Sequence, residues 1–174
     1  MAVIKEKAHG GIILIASHNP RQWNALKLLN EKGEFLSAED GEAVLAMADD
    51  HDFNYADVDS LGKEIKINDA LESHIRSILA LKLVKAAEIA RSNFKVVVDG
   101  INSVGALAIP ALLQSLGVKN IEVINGNING EFAHNPEPLD QHLSEIKERV
   151  SASGADLGIV VDPDVDRLAF IDEK

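Results

Sequence analysis
Short continuous apolar runs alternate along this chain with longer stretches in which apolar residues recur every three or four positions. Gly11 to Ala16 is an Ile-rich run of strand length. It stops at Ser17, and Asn19-Pro20 forces a non-helical exit before helical character is expected from about Gln22. Ser37 is a candidate N-cap, with acidic residues in the first turn of a helix running to about Asp49. From Asp69 to Arg91, Ile75, Ile78, Leu79, Leu83, Ala86, Ala87 and Ala90 form one stripe that predicts a single long helix. The β-branched run Lys95 to Val98 is a buried strand. Asn102 to Leu116 is a helix, closed by Gly117 in a C-cap position. Ile121 to Ile124 is a further strand, followed by a turn-rich loop from Asn125 to Gly130. A helix over Asp140 to Ser151 and strands over Leu157 to Val161 and Leu168 to Ile171 complete the series. Strands alternating with helices predict the fold class α/β: layered α/β/α domains with a mixed, largely parallel sheet.

Asp49 to Asp59 carries five Asp, yet their spacing converges on no point, so it reads as a solvated connector that continues through Asn68. The expected division is a first domain segment over 1–60 and a second over 61–174.

Composition narrows the chemistry. Apolar residues are 46% of the 174 positions and aromatics 4%, so the core is expected to be aliphatic. The net charge of -11 disfavours a nucleic-acid partner, whose phosphates select Lys and Arg. The absence of cysteine excludes disulfides, thiolate metal sites and a cysteine nucleophile. No apolar run approaches the ~20 residues of a membrane span, and the first residues lack a signal-peptide core, so a cytoplasmic location without membrane association is expected.

Two segments offer specific chemistry. Asp162, Asp164 and Asp166 follow an apolar strand at alternate positions, where an extended or turning backbone aims three carboxylates at one point. Charges so close repel unless a cation neutralises them, and an all-oxygen set suits Mg²⁺ or Mn²⁺ rather than Zn²⁺. A calcium loop of the helix-loop-helix type matches Asp162, Asp164, Asp166 and Glu173. It fails at Arg167, where a glycine must turn, and at the strand-type run that enters. An acidic surface turn is the plain alternative. Ser17 is a candidate phosphoryl carrier. Its flanks, Ile15 and Asn19, lack the glycines of a hydrolase elbow. Taken singly, Ser17, His18 and Lys27 are ordinary loop and helix residues. The segment from Asp99 to Gly105 suggests a phosphate loop only superficially and reads as a tight βα turn.

Read whole, these segments resemble the phosphohexomutase superfamily of phosphoglucomutase, phosphomannomutase and phosphoglucosamine mutase. The family's T-A-S-H-N-P loop is matched by Ile15 to Pro20 except at Ile15. Asn24 and Lys27 match the residues that follow, with Ala25 in place of the usual Gly. The metal loop D-P-D-x-D-R is met in full by Asp162 to Arg167. Asp99-Gly100, Gly105, Pro110, Phe132 and Asn135-Pro136-Glu137-Pro138 resemble second-domain features of the family.

The resemblance implies a fragment covering the end of domain 1 and domain 2 of a four-domain enzyme, inactive by itself. It implies a phosphoserine at Ser17. Mg²⁺ would be held by Asp162, Asp164, Asp166 and a Ser17 phosphoryl oxygen. Arg167 would bind phosphate, Lys27 would move a proton, and His18 would orient the phosphoserine or assist proton transfer. The implied partners are hexose phosphate and hexose bisphosphate, interconverted between the 1- and 6-phosphates. A non-catalytic Mg²⁺- or phosphate-binding module and a phosphatase with an Asp nucleophile are the alternatives.

Overall fold
The computed structural model describes residues 1–17, 19, 22–51 and 53–172. The chain divides into two compact units: Met1–Leu14 with Ala25–Ala70, and Ile15–Asn24 with Leu71–Lys174.

The first unit carries α1 (Ala2–Lys5), β1 (Gly11–Ile15), β2 (Ala25–Leu29) and α2 (Ala38–Asp49), and β1 pairs with β2 in a two-stranded sheet. Ser37 caps α2 as expected: its Oγ accepts the Asp40 N–H at 3.1 Å. The helical character expected from Gln22 is not found. Residues 25–29 form a strand instead, because pairing with β1 overrides the intrinsic helix preference of Ala, Leu and Lys.

The second unit holds α3 (Ala70–Leu79), α4 (Ala86–Ser92), β3 (Lys95–Asp99), α5 (Gly105–Ser115), β4 (Asn120–Ile124), α6 (Ser144–Ser153), β5 (Leu157–Val161) and β6 (Leu168–Ile171). The long helix expected over 69–91 is two helices. Leu81 and Val84 donate to Ile78 and Leu81 in successive turns, and Leu83 is left 92% exposed, so the apolar stripe breaks there. The helix expected from Asp140 starts as a 3₁₀ turn, Asp140–His142, and becomes α-helical only at Ser144.

The strands lie in the order β4-β3-β5-β6. β3 runs parallel to β4 and β5, and β6 closes the edge antiparallel to β5. Alternation along β3 and β5 supplies both faces. Val96, Val98, Ile159 and Val161 join Leu113 of α5 and Val118 in one cluster. Val97 and Val160 join Leu143, Ile146 and Val150 beside α6 in the other. The result is a helix/sheet/helix layer order with an aliphatic core, the α/β class expected from the sequence. No helix among the described residues is long and apolar enough to cross a membrane.

Candidate active site
Open parallel sheets present ligand sites at the carboxyl ends of their strands. Here β3 ends in Asp99 and β5 runs into Asp162, and both side chains are buried, at 1% and 0% exposure. The turn after β3 is tight. Ile101 and Asn102 have positive φ, and a Cβ on Gly100 would stand 2.4 Å from the Ala106 Cβ. This is the βα turn expected from the sequence, closed by direct backbone-to-helix packing. Ser103 from the same turn donates its hydroxyl to the Pro163 carbonyl at 3.0 Å and so ties the aspartate loop to β3.

The aspartate loop is wound around its first carboxylate. Asp162 Oδ1 accepts the Asp166 and Arg167 N–H groups at 3.1 and 3.0 Å, and Val165 N–H donates to the Asp162 carbonyl. This winding holds Val165 at φ 62°, a left-handed conformation unusual for a β-branched residue. The second oxygen, Asp162 Oδ2, is buried with no hydrogen-bond partner. Burial pushes the Asp162 carboxyl up to about 6; the Arg167 N–H pulls it down, and Asp164 and Asp166 push it up further.

Asp162, Asp164 and Asp166 each offer a carboxylate oxygen, all within 4.8 Å of one another. An orphaned buried oxygen beside two further carboxylates is what a hard divalent cation resolves, since it neutralises the charge and occupies the lone pair. The residues therefore fit Mg²⁺. The calcium-loop alternative does not fit: strands β5 and β6 flank the loop, and Arg167 follows Asp166. Glu173 lies outside the described residues.

Ser17 stands two positions beyond β1 with φ 53°, again in the left-handed region. Its Oγ donates to Asp164 Oδ1 at 3.2 Å, bridging 147 positions of chain. The serine loop and the aspartate loop thus meet within the second unit. His18 lies outside the described residues. Lys27 is on β2 in the first unit, its Nζ 6.0 Å from the centre of the Phe35 ring. Arg167 leaves the loop half-exposed, and its Nη1 donates to Glu137 Oε1 at 2.5 Å.

A second polar group at the same sheet end was not read from the sequence as a unit. Asp99 Oδ1 accepts Ile101 N–H and Asn125 Nδ2, and its Oδ2 meets His134 Nε2 at 2.9 Å. His134 Nδ1 faces the Asn135 carbonyl at 2.9 Å. Both ring nitrogens face acceptors, which suits the doubly protonated ring, and the Asp99 hydrogen bond raises the His134 pKa against the opposing effect of burial. An Asp closing an apolar β-branched strand was the signal that would have found this pair.

Known proteins match both parts of the chain. The model of the phosphoglucomutase/phosphomannomutase α/β/α domain II matches residues 72–174, and that of α/β/α domain I matches residues 1–55. A phosphoglucomutase/phosphomannomutase of Thermococcus kodakarensis is 39% identical over 96% of this chain and 36% of its own length. A phosphoglucosamine/phosphogalactosamine mutase of Sulfurisphaera tokodaii is 36% identical over 95% of this chain and 36% of its own. The crystal structure of a putative phosphomannomutase from Thermus thermophilus has the same fold, with a TM-score of 0.77 at 22% identity, over 98% of this chain and 38% of that one. The chain spans a little over a third of the length of these relatives. On the domain II match alone, which covers more than half of its residues, this chain belongs to the phosphoglucomutase/phosphomannomutase family.

Proposed function
We propose that this chain carries the phosphoryl-transfer half of a phosphohexomutase, interconverting hexose 1-phosphate and hexose 6-phosphate. The observation that carries the reading is the hydrogen bond from Ser17 to Asp164, which sets a nucleophilic hydroxyl against the carboxylate trio. Phospho-Ser17 gives its phosphoryl group to the free 1- or 6-hydroxyl of the sugar monophosphate, and that hydroxyl releases its proton. The resulting bisphosphate reorients and returns its other phosphoryl group to Ser17. Positioning and charge neutralisation dominate such a transfer.

Asp162, Asp164 and Asp166, with an oxygen of the phosphoserine, would hold Mg²⁺, which when bound supplies Lewis-acid neutralisation of the transferring group. Arg167 gives charge-assisted hydrogen bonds to phosphate. Lys27 is the proposed proton carrier, and His18 orients the phosphoserine or assists proton transfer. Net turnover is proposed to require residues beyond these 174, in keeping with the share of the relatives' length that the chain spans.

The test is incubation with a hexose 1,6-bisphosphate and Mg²⁺, an acid quench and phosphopeptide mapping. Label on Ser17 is expected. Label on Asp162 would identify an aspartate-dependent phosphatase instead. No label, with Mg²⁺ still bound, would leave a non-catalytic binding module.

A further inference from the structure
We propose that Glu137 is a positioning residue for Arg167, fixing the guanidinium in the orientation that receives substrate phosphate; this rests on the function proposed above. The two residues lie 30 positions apart and meet through Arg167 Nη1 and Glu137 Oε1 at 2.5 Å. An ordinary half-exposed ion pair contributes little, because both long side chains must be ordered to make it. Glu137 differs in that its backbone is already fixed. Its N–H donates to Asn135 Oδ1 at 3.1 Å, and its carbonyl faces His142 Nδ1 at 2.9 Å and accepts Leu139 N–H at 2.8 Å. Just upstream, His134 fastens the segment to the buried Asp99 at the end of β3. The carboxylate is therefore presented from a braced segment, so docking Arg167 on it orders the two side chains without ordering any further backbone.

Arg167 needs such a guide. It directly follows Asp166, and the carboxylates of Asp164 and Asp166 lie in the same loop, ready to draw a guanidinium onto the oxygens proposed for the cation. A carboxylate from another segment anchors one end of the guanidinium at Nη1, and the other donors of the planar fork can serve a phosphate alongside it. Glu137 thereby gives the guanidinium a carboxylate partner outside the acidic loop.

The experiment uses the 174-residue chain with a hexose 1,6-bisphosphate as probe, in Mg²⁺. Arg167→Ala is expected to weaken bisphosphate binding about tenfold, and Glu137→Gln to do so nearly as much. The double variant is expected to be no weaker than Arg167→Ala, because the two act through one group. Glu137→Asp should recover part of the loss, and the Arg167 Nε–H resonance should be ordered in the wild type and mobile in Glu137→Gln. Glu137→Gln binding as tightly as wild type while Arg167→Ala binds weakly would overturn the inference and leave the proposed function standing. A wild-type chain that binds no bisphosphate would overturn the functional reading. The arginine resonance then decides alone, and an unchanged Arg167 signal in Glu137→Gln would dismiss the positioning role.

Discussion
The Ser17 hydroxyl donates to Asp164 Oδ1 at 3.2 Å, so the proposed phosphoryl carrier leans on a proposed cation ligand. The two residues nevertheless differ in what they supply to the cation. Asp164 contributes one of the negative charges that set affinity, whereas unphosphorylated Ser17 contributes none. Ser17→Ala is expected to abolish phosphoryl uptake while leaving Mg²⁺ affinity within about threefold of wild type, and Asp164→Asn to cost about tenfold or more. Titration calorimetry on the unphosphorylated chain separates them. Equal losses in both variants would contradict the division of labour.

Asp162 supports a prediction of the opposite sign. Its Oδ2 is buried without a partner, and the neighbouring carboxylates repel its charge. Without a cation the ionised side chain therefore works against the fold. Asp162→Asn keeps an oxygen for the Asp166 and Arg167 N–H groups and removes the charge. In EDTA at neutral pH it is expected to be more stable than wild type by about 1–3 kcal/mol. The midpoint rise that Mg²⁺ gives the wild type should be lost. Thermal unfolding with and without Mg²⁺ reads both effects, and a variant less stable than wild type in EDTA would contradict the account.

Much of this was legible in the residues. Asp162, Asp164 and Asp166 could be grouped because alternate positions share a face, and the turn wound on Asp162 Oδ1 brings them together. The central strands β3 and β5 were legible because parallel strands buried on both faces are continuous apolar runs. Residues 25–29 misled because a strand held by one neighbour takes its conformation from pairing rather than from Ala, Leu and Lys themselves. The stripe from Ile75 to Ala90 misled because helical spacing can persist across a break, as it does over residues 80–85. The partnerships of Asp99 with His134 and of Glu137 with Arg167 join residues 35 and 30 positions apart, and no local periodicity records them.

His134 predicts a pH dependence. Its pKa is raised above 6.5, chiefly by the hydrogen bond to Asp99. A raised folded-state value means that the protonated ring favours the fold. The contribution is complete below pH 6.5 and is lost as pH rises through the elevated value. Wild-type stability should therefore decline above pH 6.5 more steeply than that of His134→Gln, which cannot titrate. Urea unfolding of both proteins in steps from about pH 6 to about pH 9 checks the sign. Parallel curves would remove His134 from the explanation, and a proton-detected ring titration would locate its midpoint directly.

Gly105 tests whether the site depends on close packing beneath it. A Cβ there would lie 2.4 Å from Val161 Cγ2, in the residue that precedes Asp162. Val161 is 2% exposed and belongs to the core cluster, so its methyl has little room to retreat. Gly105→Ala is expected to destabilise by about 1–3 kcal/mol through this overlap. Val161→Ala alone should also destabilise, by leaving a small cavity. Combined, the two changes put one methyl where another was removed, and the double variant should be more stable than the sum of the single losses allows. A strictly additive cycle in urea denaturation would mean that the helix start moves away from β5 instead. The aspartate loop would then be expected to move with it, lowering Mg²⁺ affinity in Gly105→Ala.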